Sequence, residues 1–273
     1  METRIICEKI IPKKVSYPII ITIPHSGTQL PLVDRDWSEE AKKLTDTDWF
    51  VDELYSFAEN IGVILIRAVY SRYVVDLNRP PEKLSLYKDG RKETTVIPYH
   101  SFLGENLYLD SIPGQDQIKN RIRQFYTPWY EAIEHTVRSL KADWEHVLIF
   151  DGHSIRRKVS TISDKAFPDL IIGTADGASA DHRLVESVIK NVEQSEYSFS
   201  INKPFKGGHM TRFWGKPENG NHAIQLEMSQ DIYMQENPPR RDTYKAEKLQ
   251  YLLQQTIEDL GKILIKINRV KDQ

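Results

Sequence analysis

Strands and helices alternate along this 273-residue sequence. The alternation predicts an α/β fold, a three-layer α/β/α sandwich on a mixed, largely parallel sheet. Three observations carry that prediction. Two short runs, the β-branched residues 17–23 and the wholly apolar 147–150, read as strands covered on both faces. The stretches between them place apolar residues at helical spacing. No internal repeat, low-complexity tract or linker breaks the series, so residues 1–273 are expected to form one domain.

The elements follow in order. Residues 17–23 read as a buried strand that ends at Pro24. Val51, Leu54, Tyr55 and Ala58 recur at helical spacing, so 47–60 reads as a helix, stopped by Gly62. Residues 63–69 read as the next strand, and 73–77 as another, closed by Pro80 and Pro81. Segment 82–106 has no clear period and several turn residues; a stretch of this kind is expected to be a lid or an insertion. Ile118, Ile122, Phe125, Trp129, Ile133, Val137 and Leu140 mark a long helical region that Pro128 should kink or split. Residues 147–150, 170–173, 197–201 and 223–228 read as strands, and 181–192 as a helix. The last helix, 242–267, carries Leu249, Leu252, Leu253, Ile257, Leu260 and Leu264 on one face, with Asp242 as its cap.

Composition narrows the function classes. Hydrophobic residues make up 40% and charged residues 28%, an ordinary globular balance. The net charge of -2 carries no nucleic-acid footprint, so a small-molecule substrate is expected. No apolar run approaches the roughly 20 residues of a membrane helix. The first eleven residues lack a signal-peptide pattern, which makes cytoplasmic residence the default expectation. The oligomeric state is left open. The single cysteine, Cys7, cannot form an internal disulfide and reads as a small buried hydrophobe on an early strand.

Sites in open α/β sheets form beyond the carboxyl ends of the strands. There the sequence places Pro24-His25-Ser26-Gly27 after the first buried strand and Asp151-Gly152-His153-Ser154 after the 147–150 run. Gln225-Leu226-Glu227 lies in the late strand, and Thr45-Asp46-Thr47-Asp48 at a helix start. Two histidines and one carboxylate are the ligand set of many catalytic zinc sites, leaving one position for water. A further glutamate then serves as general base, and Glu227 suits that part, because an unpaired carboxylate in an apolar strand is costly. Each residue also has a plainer reading. His25 and His153 can be turn or core histidines bonded to backbone, and Asp46 and Asp48 can each cap the following helix; spacing does not separate the two aspartates.

Two further segments carry arginines. Lys206-Gly207-Gly208-His209-Met210-Thr211-Arg212 combines paired glycines, which let backbone approach a ligand, with an arginine able to bind a carboxylate. Asp76-Leu77-Asn78-Arg79-Pro80 follows a predicted strand, with Arg72 nearby. Arg79 either clamps a substrate carboxylate or pairs with Asp76 or Asp151. His100, His135, His146 and His182 read as surface or core residues, and His222 as structural. No phosphate loop, dinucleotide fingerprint or serine elbow is present, which removes the common nucleotide-dependent and serine-hydrolase readings.

Taken together, the motifs resemble the N-formylglutamate amidohydrolase (deformylase) family of histidine degradation. The matching stretches are 24–27, 45–49, 70–80, 151–155, 173–178, 205–215 and 225–234, in order. The resemblance implies a hydrolase fold similar to zinc exopeptidases and peptidoglycan amidases, phosphorylase/hydrolase-like in its layers. It implies His25, Asp48 and His153 as ligands of zinc or another divalent transition metal such as iron or cobalt. It implies Glu227 as the base, and arginines for an N-acyl dicarboxylic amino acid, for which Arg79 and Arg212 are the candidates. Beside them, Asn78 and Arg72 can position substrate, and Arg79, Asn78 or His209 can assist by stabilising the oxyanion. The implied reaction is hydrolysis of N-formyl-L-glutamate to formate and L-glutamate. Gly152 stands where many members carry alanine and Ser26 where some do, and both are small. Segment 82–106 resembles the family least, so another N-acyl amino acid or a peptide is the rival substrate. A non-catalytic binding protein of the same fold is the rival from another class.

Overall fold

The structure, a computed structural model, describes residues 5–31, 37–82 and 95–269. Seven strands form one sheet: β1 (Cys7–Ile10), β2 (Ile19–Ile23), β3 (Ile64–Ala68), β4 (Val147–Ile155), β5 (Leu170–Gly173), β6 (Phe199–Ile201) and β7 (Asn221–Ser229). Their spatial order is β1-β3-β2-β4-β7-β5-β6. The central run β3-β2-β4-β7 is parallel, whereas β1 joins β3, and β5 joins β7, antiparallel. This is the mixed, largely parallel sheet that the alternation predicts.

The helices are α1 (Glu39–Lys42), α2 (Val51–Leu54), α3 (Gln115–Arg121), α4 (Thr127–Leu140), α5 (His182–Glu193), α6 (His209–Trp214) and α7 (Thr243–Arg269). They cover both faces of the sheet. Ile19, Ile21, Leu148, Phe150, Ile224 and Leu226 pack on one face against α5 and the apolar stripe of α7. Ile20, Ile66, Val147, Ile149 and Ala223 face the other way, against Trp129, Ile133 and Val137 of α4 and Met210 and Trp214 of α6. The period of two along each strand thus yields two cores, one per face. No helix among the described residues is long and apolar enough to cross a membrane.

Several expectations are corrected. The 47–60 helix shrinks to α2 and a 3₁₀ turn at Ser56–Ala58, because Phe50 takes a left-handed conformation (φ 62°) just before Val51. Residues 73–77 form turns and not a strand. Their polar backbone is satisfied by other means: Val74 N–H donates to the Ser71 carbonyl, Asp76 N–H to that of Val96, and the Leu77 carbonyl accepts from the Tyr130 hydroxyl. The long helical region is divided just before Pro128, as expected: a π-helical turn at Ile122–Tyr126 separates α3 from α4, and Pro128 sits in the first turn of α4. Strand 147–150 is more than twice its expected length, because β4 pairs with β7 through Ile155↔Ser229. Cys7 is half-buried, and burial pushes its thiol up, away from the reactive thiolate. Of segment 82–106, residues 83–94 lie outside the described ones.

Candidate active site

The faces of three strands turn polar at their carboxyl ends. On the α4 side of the sheet, Ile20 gives way to Thr22, Val147 and Ile149 to Asp151 and His153, and Ala223 to Gln225 and Glu227. The parallel register sets Asp151 beside Gln225 and His153 beside Glu227. His153 therefore lies within a strand and not in a loop after one. His25 follows β2, and the Asp48 N–H donates to the His25 carbonyl (3.0 Å), which pins the 45–48 turn against it.

His25, Asp48 and His153 converge, all three buried, with one candidate ligand atom each within 4.8 Å of the others. Both imidazoles turn Nδ1 toward Asp48: the distances to its Oδ2 are 3.8 Å from His25 and 3.3 Å from His153. Each Nε2 meets a second buried carboxylate. His25 Nε2 lies 2.8 Å from Asp76 Oδ1 and His153 Nε2 2.7 Å from Asp151 Oδ2. A histidine that donates one ring N–H to a carboxylate presents its other nitrogen as a lone pair, the usual arrangement behind a metal ligand. Asn78 Nδ2 also lies 3.1 Å from His153 Nε2. An amide nitrogen only donates, so a protonated Nε2 cannot bond to it, and the charge-assisted contact to Asp151 is the hydrogen bond.

Asp48 Oδ2 accepts from the Ser154 N–H (3.1 Å), while His25 Nδ1 and Asp48 Oδ1 are buried with no hydrogen-bond partner. Orphaned lone pairs are costly in a protein interior. Two of them within one cluster of buried ligand-type side chains fit a cation. Asp46 points elsewhere, and its Oδ2 accepts from the Phe102 N–H (2.8 Å). The structure thus separates the two aspartates, and neither caps α2.

Electrostatics differ among the groups. Burial lowers the pKa of His25, and Arg72 lowers it further. Burial also opposes charge on His153, but Asp151, Asp48 and Glu227 outweigh it and raise its pKa well above the ordinary value. Asp76, although buried, is held well below the usual range by Arg72 and His25. Removal from bulk water pushes the Glu227 carboxyl up to about 7, against the pull of His153.

A cavity of about 310 Å³ opens over the cluster. His25, His153, Glu227, Gln225, Asn78, Arg79 and Gly208 line its floor side, with Phe205, Ile155 and Ile162 among the apolar walls. Thr95, Tyr99, His100, Ser101, Phe102 and Gly104 form another wall, so the described part of segment 82–106 borders the site. A Cβ on Gly208 would lie 2.4 Å from the Asn78 side chain, which is why glycine is needed where this loop crosses the floor.

Other candidates are placed differently. Arg72 lines the cavity, but its guanidinium binds Asp76 (2.7 Å) and lies 4.6 Å from the Phe102 ring centroid. Asn78 is locked, its Oδ1 accepting from the Met210 N–H (2.8 Å). Neither His209 nor Arg212 is among the described residues that line the cavity. The His209 ring packs on Tyr130 and Phe213, and Arg212 Nε donates to the Gly207 carbonyl. Sequence reasoning missed Asp76 and Asp151 as carboxylates behind the histidines, and His100 as a wall residue. The Asp-x-His spacing on a strand, which puts both side chains on one face, was the available signal for Asp151. Asp76 had none, since it joins His25 only through the tertiary fold.

Comparison with known proteins identifies the relatives of this chain. The family model for N-formylglutamate amidohydrolase matches residues 17–234. The chain is 40% identical over 256 residues to an N-formylglutamate deformylase of Pseudomonas aeruginosa, covering 91% of this chain and 94% of that protein. It is 37% identical over 250 residues to one of Pseudomonas putida, covering 89% and 92%. In fold it is similar to the crystal structure of an N-formylglutamate amidohydrolase from Ralstonia eutropha JMP134, with a TM-score of 0.82 at 20% identity, covering 96% of this chain and 99% of that one.

Proposed function

The chain belongs to the N-formylglutamate amidohydrolase family, and from that premise we propose that it hydrolyses the formyl amide of N-formyl-L-glutamate, releasing formate and L-glutamate. The observation that carries the reading is the buried His25–Asp48–His153 cluster, with two orphaned donor atoms, beside a half-buried glutamate on the floor of a cavity of small-ligand size.

His25, Asp48 and His153 would hold a divalent transition metal, zinc by donor type. Such an ion polarises a carbonyl oxygen and makes an attacking water acidic near neutral pH. The protein's own groups do the rest. Asp76 and Asp151 fix the ring orientation of the two histidines and keep both Nδ1 atoms turned inward. Glu227 accepts the proton of the water that attacks the formyl carbon, and returns it to the glutamate nitrogen as the C–N bond breaks. Its pKa near 7 suits both halves of that transfer. Arg79 is the arginine for a substrate carboxylate, since it lines the cavity and Arg212 is not among the described lining residues.

The test is formate release from N-formyl-L-glutamate by the purified chain, stripped of metal and then reloaded with zinc, beside other N-acyl amino acids. Formate produced only after reloading is the expected result. Stoichiometric metal uptake with no formate would overturn the substrate while leaving the metal centre standing.

A further inference from the structure

Gln225 is a buried amide whose two ends are both engaged. Its Oε1 accepts from the Gly208 N–H (2.8 Å) and lies 3.4 Å from Asn78 Nδ2. Its Nε2 donates to Glu227 Oε2 (3.2 Å). Gly208 N–H needs an acceptor in this buried setting, so the oxygen must face the glycine loop and the amino group must face Glu227. The loop end is itself fixed: Gly208 packs against Asn78, which holds the first turn of α6 through the Met210 N–H. Two residues apart on one strand, Gln225 and Glu227 project from the same face.

We propose that Gln225 is a positioning residue that acts through Glu227, tying its carboxylate to the glycine loop so that one oxygen is held and the other is left for the water. The proposal rests on the reading of Glu227 as proton acceptor. A carboxylate on a strand end has free side-chain torsions, and losing this tether would spread it over orientations that do not reach the water. Gln225 itself exchanges no proton and holds no metal.

The test is a double-mutant cycle on the full zinc-loaded chain, following formate release. Gln225→Met keeps the volume and removes both hydrogen bonds. Its kcat should fall about ten- to a hundredfold, the usual cost of losing an outer-shell partner, with KM and metal content near wild type. In the Glu227→Gln background the same change should cost no more than about twofold, because there is no base left to position. Gln225→Glu is the second variant: it keeps the acceptor for Gly208 and so the fold, but sets a carboxylate against Glu227. It should lose turnover alone and cost nothing further beside Glu227→Gln. Losses that multiply in the double variants, or a Gln225→Met protein with raised KM and unchanged kcat, would overturn the positioning role. A Glu227→Gln protein with wild-type turnover would instead remove the base itself, so the two failures are told apart.

Discussion

Each histidine of the cluster stands between two carboxylates, with Asp48 at Nδ1 and Asp76 or Asp151 at Nε2. The outer pair should matter almost as much as the proposed ligands. Asp151→Asn keeps the shape and the Thr22 contact but weakens the acceptor for His153, so zinc affinity should fall about ten- to a hundredfold. Competition with a chelating indicator would measure this, and unchanged affinity would detach Asp151 from the centre. A second histidine pair obeys different physics. His222 is buried, and its Nδ1 accepts the Asp181 N–H (3.2 Å), which leaves the proton on Nε2 to be donated to His146 Nδ1 (3.1 Å). The first bond requires a neutral His222, and the second an unprotonated Nδ1 on His146. Burial, then His146, with Lys141 and Arg183 adding and Asp181 opposing, lowers its pKa to about 4. Between pH 6.5 and 4 the unfolded chain therefore takes up a proton that the folded one refuses, so stability is present above pH 6.5 and lost as pH falls to 4. The loss attributable to this group is at most about 3 kcal/mol, at 1.36 kcal/mol per unit of pKa. Urea unfolding at pH 7 and 4.5 should show a steeper decline for wild type than for His222→Gln, and equal declines would refute the assignment. His25, His153 and Glu227 were legible in the sequence because each follows or ends a buried apolar run. His222 was legible only as structural, since its partner lies 76 residues away.

At the scale of elements, legibility followed local periodicity. β5 was placed to the residue, and α5 and α7 to within a residue or two, because each carries an uninterrupted apolar stripe or run. The 73–77 segment misled, since Tyr73, Val74, Val75 and Leu77 are all buried, yet they pack from turns. The hydroxyls of Tyr126 and Tyr130, on the π-turn and α4, close the Arg79 and Leu77 carbonyls that a ladder would otherwise satisfy. No local pattern encodes that. The cavity wall at residues 95–104 is likewise held from outside: Asp46 accepts the Phe102 N–H, the Thr161 hydroxyl donates to the Phe102 carbonyl, and the Phe102 ring covers Arg72. Asp46→Ala should therefore leave zinc content unchanged and raise KM for N-formyl-L-glutamate more than it lowers kcat. Loss of metal in that variant would mean that the 45–48 turn works as one unit and that the two aspartates are not separable.

Over the whole molecule, the cluster gathers segments far apart in sequence. His25 follows β2, Asp48 lies in the turn before α2, His153 is on β4, and Asp76 and Asp48 are drawn in through hydrogen bonds to His25 and Ser154. The unfolded chain has no such site, so a cation held there stabilises the native state by mass action. At a free metal concentration of about a hundred times the dissociation constant the gain is about 2.7 kcal/mol. For a chain of this size that corresponds to a rise in Tm of about 5 °C. The sign is secured by the orphaned atoms: without a cation, His25 Nδ1 and Asp48 Oδ1 remain buried and unpaired, and the native state carries their cost. Thermal unfolding of the chelated protein should therefore begin earlier and move upward on zinc addition. His153→Ala should abolish that response, because a single histidine and one carboxylate make too poor a site. Glu227→Gln should retain it in full, since Glu227 stands beside the cluster and holds no metal in the proposed mechanism. A zinc response that survives in His153→Ala, or one that vanishes in Glu227→Gln, would exchange the roles assigned to the two residues.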